Sequence, residues 1–151
     1  MIVRPATEAD LETLALLHGL AFTPSWDAEE IADLGSGPGG FALIAEDPKP
    51  CGMVIWRTAV GEAEIYTIAV DPAVRQKGIG RALVETTMAL ARQEGAREIF
   101  LEVSVENQAA LALYAAAGFE RVGLRRGYYT VGHETPVDAV IMRRDLNTAP
   151  N

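Results

Sequence analysis

The stretch from Ile65 to Leu83, IYTIAVDPAVRQKGIGRAL, constrains this chain more than any other. Ile65, Ile68, Ala69 and Val70 make an apolar run that suits a buried strand. Asp71-Pro72 stops it, because proline has no N–H to give the next rung. Arg75-Gln76-Lys77-Gly78-Ile79-Gly80-Arg81 then leads straight into a helical pattern. Glycines at 78 and 80 let a ligand approach the main chain closely. The unpaired N–H groups of a helix start point outward and carry partial positive charge. Strand, basic glycine turn and helix together predict an anion site, most naturally for a pyrophosphate. Its residues are Ile68, Ala69, Val70, Arg75, Gln76, Lys77, Gly78, Ile79, Gly80 and Arg81.

Two familiar phosphate loops do not fit. A Walker loop ends in Gly-Lys-Ser/Thr, and a dinucleotide fingerprint needs a third glycine where this chain has Leu83. A bland reading, a helix entry with exposed arginines, stands beside the functional one. Net charge favours the latter. The chain of 151 residues carries a net charge of −8 and a pI near 4.7. An acidic protein that takes a polyanion must gather cations locally, as Arg75, Lys77 and Arg81 do. The same balance argues against nucleic acid as a partner and suits an amine or a basic peptide.

The length predicts one domain over 1–146, with a frayed tail over 147–151. No apolar run reaches the roughly 18 residues of a membrane span, and MIVRPATEAD lacks the apolar core of a secretion signal. Cys51 is the single cysteine, so no internal disulfide forms and a cytoplasmic setting is the default. Between Pro50 and Gly52 it reads as a turn residue. With two histidines, His18 and His133, and no ligand spacing, no metal is expected.

In chain order, Ile2-Val3-Arg4 reads as a strand, and Thr7-Glu8-Ala9-Asp10 as a capping box before a helix reaching about Leu20. His18 on that helix reads as a satisfied core histidine. Phe22 and Trp26 flank a loop ahead of a short helix from Asp27. They are either core beneath the loop or an apolar wall over a substrate groove. Strands at Phe41–Glu46, Gly52–Thr58 and Ala63–Val70 should form an antiparallel meander. Ile79–Gln93 is a helix with Ile79, Leu83, Thr87 and Leu90 inward and Gly95 as its stop. Glu98–Val103, apolar on both faces, reads as a strand parallel to the last, completing a β-α-β crossover. A helix over Asn107–Ala117 and a hairpin of Phe119–Arg125 with Val137–Arg144 close the chain.

Arg75-x-x-Gly78-x-Gly80 after a strand resembles the coenzyme A loop of the GNAT family of N-acetyltransferases. Leu101-Glu102-Val103, Asn107, Ala112-Leu113-Tyr114 and Ala117-Gly118-Phe119-Glu120 resemble the second signature of the same family. Arg126-Gly127-Tyr128-Tyr129 and the loop Phe22-Thr23-Pro24-Ser25-Trp26 are similar to its RimI-like, ribosomal-protein-alanine branch. The resemblance implies an α/β (α+β) GNAT fold. That is a single mixed, mostly antiparallel seven-stranded sheet with a parallel β-α-β crossover at its centre and about four flanking helices.

The resemblance further implies acetyl-CoA as cofactor, held in part by Asn107, with Glu102 and Tyr114 catalytic. Phe22, Trp26, Tyr128 and Tyr129 would line the substrate groove. Each has a plain reading too. Asn107 is a good helix N-cap, and Tyr114, two turns further along the same face, suits a core. Glu102 is harder to explain plainly, since a carboxylate in an apolar strand is costly unless a crevice opens there. Burial should raise its pKa toward the useful range for a base.

The expected activity is acetyl transfer from acetyl-CoA to a primary amine by direct attack on the thioester. The amine is best read as a protein N-terminus, a ribosomal protein's among the candidates. The rivals are a small-molecule amine (polyamine, amino acid or drug) and a silent coenzyme A-binding module. Oligomeric state, monomer or homodimer, stays open, as does the effect of Ser104 and Glu106 on specificity.

Overall fold

Apolar residues at alternate positions build the sheet, and helices cover what it leaves exposed. The computed structural model describes residues 1–22, 25–35, 37–75, 77–129 and 137–147, the side chains of Tyr128 and Tyr129 excepted. Its strands are β1 (Ile2–Pro5), β2 (Gly40–Glu46), β3 (Pro50–Ala59), β4 (Glu62–Val70), β5 (Glu98–Ser104), β6 (Glu120–Tyr129) and β7 (Val137–Asp145). Its helices are α1 (Leu11–Ala21), α2 (Ala28–Gly35), α3 (Ile79–Gln93) and α4 (Gln108–Ala116). Among the described residues one sheet forms in the order β1-β2-β3-β4-β5-β7-β6. β4 and β5 are parallel, joined through α3, and every other pairing is antiparallel. The expected class and crossover are both present.

β3 is buried on both sides from Cys51 to Trp56, so its neighbours sort onto two cores. Val54 and Trp56 face α3 and α4, with Leu43, Ile65, Leu83, Leu101 and Val140. Met53 and Ile55 face α1 and α2, with Leu14, Leu17, Ile31 and Ala69. Arg4 pins the first strand. It donates to Asp10 at 2.9 Å and Glu46 at 2.8 Å, and the guanidinium holds the Asp10 carboxyl well below the usual carboxylate range. Asp10 also accepts the Thr7 main-chain N–H at 2.8 Å, the predicted box.

Two expectations need correction. Cys51 is not a turn residue. It lies in β3, 4% exposed, with its thiol donating to the Ala45 carbonyl and its pKa pushed up by burial. The turn closes earlier, where the Asp47 N–H bonds the Lys49 carbonyl at 2.9 Å. β5 is not buried on both faces either. Ile99, Leu101 and Val103 enter the core, whereas Glu98, Phe100, Glu102 and Ser104 stay half-buried. Of the expected tail, everything past Asn147 lies outside the described residues.

Gly52 sets how closely α3 approaches. A Cβ built there would stand 2.9 Å from Ile79 Cγ2 and 3.0 Å from Leu83 Cδ1. Gly52→Ala should therefore destabilise the fold by about 1–3 kcal/mol through overpacking. Urea titration should show a lower midpoint at unchanged slope. An unchanged midpoint would mean that α3 retreats freely from β3.

Candidate active site

β4 and β5 begin as a pair and then separate. Their ladder runs from Glu62↔Glu98 to Ile65↔Leu101 and ends there. Both strands continue, β4 to Val70 and β5 to Ser104. The cause lies on the other edge of β4. Trp56 pairs with Ile65 and Ile55 with Thr67, so Tyr66 is an extra residue opposite β3. Such a bulge bends its strand and increases the local twist. Ile68, Ala69 and Val70 thus lie on a β4 edge that no β5 ladder covers, at the carboxyl ends of two parallel strands, where ligands enter such sheets.

The basic turn opens from that end. The Asp71 carboxylate accepts the Ala73 N–H at 2.9 Å and fixes the exit from β4. Gly78 precedes α3 with φ 80°, a left-handed conformation that suits glycine, and a Cβ there would meet no atom within 4 Å. Gly80 is packed where Gly78 is open. Its Cβ would stand 3.1 Å from Leu113 Cδ2, so it brings α3 against α4. Arg75, Lys77 and Arg81 are exposed, and Ile79 is buried as the first inward residue of α3. Arg81 is already ion-paired with Glu85 one turn along. Gln76 lies outside the described residues.

Asn107 follows β5 and caps α4, its Oδ1 accepting the Ala110 N–H at 3.1 Å. The cap occupies the oxygen of the amide, not its nitrogen. Tyr114 on α4 is 5% exposed and meets Phe119 edge-on at 5.7 Å. It belongs to the α3/α4 side of the sheet, whereas Glu102 points to the opposite side. The space between the separated strands lies between these two faces.

On the Glu102 side is a cavity of about 400 Å3, lined among others by Arg57, Glu62, Glu64, Tyr66, Phe100 and Glu102. Glu102 is not an isolated buried carboxylate. Arg125 of β6 pairs with it at 2.8 Å. The carboxyl that burial pushes up is that of Glu64, helped by the nearby negative charge of Glu102 and opposed by Arg125 and Arg57. Glu64 and Arg125 were both missed from the sequence. Glu64 carried the same signal as Glu102, a charge inside an apolar strand. Arg125 carried none, since its partner is set by strand order.

His18, 3% exposed, is a satisfied core residue as expected, its Nδ1 accepting the Trp26 N–H at 3.0 Å. Phe22 and Trp26 stack on its ring, Phe22 exposed and Trp26 half-buried. The Tyr128 and Tyr129 side chains, Thr23, Pro24 and residues 130–136, including His133, lie outside the described residues. Among the described residues no group of three His, Cys, Asp or Glu could hold a metal, and no helix is long and apolar enough to cross a membrane.

Comparison with known proteins points one way. Residues 10–119 match the profile of the acetyltransferase (GNAT) family. The chain is 49% identical over 89 residues to the N-alpha-acetyltransferase RimI of Mycobacterium tuberculosis, covering 59% of this chain and 52% of that protein. It is 38% identical over 101 residues to the ribosomal protein bS18-alanine N-acetyltransferase of Escherichia coli, covering 66% of each. The chain thus spans about half the length of the first relative (52%) and about two thirds of the second (66%). The crystal structure of the Escherichia coli ribosomal-protein-S18-alanine N-acetyltransferase superposes with a TM-score of 0.88 at 28% identity, over 99% of this chain and 96% of that one.

Glu64 yields a pH prediction. A carboxyl whose folded pKa is raised contributes stability fully below its unfolded value, here 4.5, and loses it as pH rises through the folded value. Glu64→Gln should therefore gain on the parent protein between pH 4 and pH 7. Urea midpoints of the two proteins should diverge over that interval, the variant ending higher. A constant difference would show that Glu64 titrates normally.

Proposed function

Since the chain belongs to the acetyltransferase (GNAT) family, we propose that it transfers the acetyl group of acetyl-CoA to a primary amine, the N-terminal α-amine of a protein. The observation that carries this is the gap between β4 and β5, with a basic helix start at its open end and a carboxylate-lined cavity on one face. The names of the Mycobacterium and Escherichia relatives support an N-terminus, that of a ribosomal protein among them. A cavity of about 400 Å3 is also the size of a small-molecule site, so a compact amine is the second reading.

Acetyl-CoA, when bound, supplies the thioester. The uncovered edge of β4 at Ile68 to Val70 offers main-chain groups to an extended arm. The N–H groups at Gly78 to Arg81, with Arg75 and Lys77, suit a pyrophosphate. The Asn107 amide nitrogen faces the same task from α4. The amine nitrogen attacks the acetyl carbon, the C–N bond forms and the C–S bond breaks.

An α-amine has a pKa of about 7.7–8.0, so at neutral pH one proton must leave before attack and a second after it. Glu102 is the acceptor, directly or through water. Arg125 pairs with Glu102 at 2.8 Å, and Glu64 lines the same cavity. Tyr114 faces the sulfur from the opposite side of the sheet. A tyrosine hydroxyl ordinarily has a pKa of about 10 against about 8.5 for a thiol, which makes full proton transfer uphill. The Tyr114 hydroxyl therefore acts by hydrogen-bonding the sulfur as charge develops.

The test is thiol release from acetyl-CoA with a panel of N-terminal peptides and polyamines. Peptides should react with the higher kcat/KM, and the reverse order would favour the second reading. Glu102→Gln should lower kcat roughly 100-fold at unchanged acetyl-CoA affinity. Tyr114→Phe should lose rate by a similar factor at every pH to about 9, whereas a basic limb present only in the parent would mean proton transfer. Arg75→Ala should weaken acetyl-CoA binding roughly tenfold by calorimetry, more at low salt. Arg81→Ala should cost less, because Arg81 must first leave Glu85. Unchanged affinity in the double variant would remove the basic turn from the site.

A further inference from the structure

The cavity beside β5 holds two carboxylates in unequal circumstances. Glu102 is taken, paired with Arg125 at 2.8 Å. Glu64 is not. Among the described residues it makes neither an ion pair nor a hydrogen bond. Arg57 stands opposite it in the β3–β4 ladder, yet the two do not pair.

Strand order sets these groups in a row on one face. Arg57 of β3 is in register with Glu64 of β4, and Glu64 with Phe100 of β5. Glu102 follows Phe100 on the same side of β5, and all four line the cavity. Arg125 reaches the far end from β6. Across the sheet the charges thus run cation, carboxylate, carboxylate, cation. Partial burial, then the charge of Glu102, push the Glu64 carboxyl up, against Arg125 and Arg57. A carboxylate set near another with no partner of its own is a mark of sites more than of scaffolds. Glu64 is open to solvent, so a ligand reaches it.

We propose that Glu64 is a specificity-determining residue that seats the substrate amine, as its ammonium ion, beside Glu102. An ammonium has three N–H donors and no acceptor. One donor goes to Glu64 and another to Glu102. Glu102 then takes its proton from a nitrogen already in place, and the lone pair released there attacks the acetyl carbon. Glu64 keeps its charge and moves no proton. The substrate class is therefore amines that are cationic at the working pH, and uncharged isosteres are refused.

The seat has a pH limit. The charged groups around Glu64 are Arg57 from β3, Glu62 from its own strand, Glu102 from β5 and Arg125 from β6, with the Tyr66 hydroxyl on the same wall. The seat needs the carboxylate. Since the folded pKa lies above the ordinary 4.5, the seat is lost as pH falls through that raised value, sooner than for an unperturbed carboxylate.

The inference rests on reading this cavity as the amine site, so its test has a binding arm that needs no turnover. With coenzyme A present, calorimetry at pH 7 compares a short peptide beginning in alanine with its desamino analogue, which begins in a propionyl group and carries no ammonium. The parent should prefer the free amine roughly 30-fold. Glu64→Gln should weaken the free-amine peptide roughly tenfold and leave the analogue unchanged, the signature of one lost charge contact. Glu62→Gln should cost no more than about twofold, because Glu62 pairs with Glu98, further from Glu102. In turnover Glu64→Gln should raise KM for the peptide roughly tenfold while kcat and KM for acetyl-CoA hold. The parent's KM should also rise on an acid limb that begins above pH 4.5 and that Glu64→Gln lacks.

A parent with no preference for the free amine overturns the proposal. So does a Glu64→Gln protein in which peptide and analogue weaken together or neither weakens, and so does an equal loss in Glu62→Gln. If the preference holds but no amine releases thiol, the transferase reading fails while the ammonium seat stands.

Discussion

Two strands that pair for four residues and then part are the constraint on which this molecule depends. Parallel strands flanking a helix normally zip to their carboxyl ends, because each unpaired main-chain group inside a protein is costly. Here the single extra residue at Tyr66 turns β4 away from β5 after Ile65. The core beneath survives because β3 is buried on both faces and holds β4 from its other edge. The separation lies between the faces that carry Glu102 and Tyr114, on opposite sides of the sheet. It also leaves Ile68 to Val70 as a free template for an extended ligand, a use of strand edges familiar in peptide recognition.

Charge follows the same division. A chain of net charge −8 concentrates three cations within Arg75 to Arg81 at the mouth of the gap. On the cavity side it sets Glu62, Glu64 and Glu102 against Arg57 and Arg125. The cations thus gather at the β4–α3 turn and the carboxylates line the cavity, so the two signs of charge sit at different parts of the surface. Neither sign need be buried deeply, which spares the desolvation cost that a fully enclosed ion would carry.

Much of this was readable from local chemistry. α3 begins and ends where glycine and the apolar stripe put it, at Ile79 and Gln93. Thr7 and Asp10 form their box, and Asn107 caps α4. Each depends on residues within a few positions of one another. Features set by distant pairing were not readable. Tyr66 is a good strand residue, and nothing in its neighbourhood announces a bulge, which arises from how β4 meets β3. Cys51 looked like a turn because Pro50 precedes it, yet the strand starts at that proline. Phe100 reads as core in an apolar strand, yet it lines the cavity. Arg125 reaches Glu102 only because β7 lies between β6 and β5, an order that no local pattern encodes.

That strand order also has a consequence during synthesis. Among the described residues the main chain of β6 joins the sheet through β7, which pairs with β5 from Ser104↔Ala139 to Glu98↔Asp145. Just past β7, Leu146 ties back to the turn before β5, its N–H to the Arg97 carbonyl at 2.8 Å and its carbonyl to Arg92 Nε at 2.8 Å. A nascent chain that has not yet released β7 from the ribosome can assemble the β1–β4 meander and α3, but β5 then presents a bare apolar edge and β6 has no seat. An uncovered strand edge of this kind is a template for pairing with a neighbouring chain, and β7 is the segment that removes it.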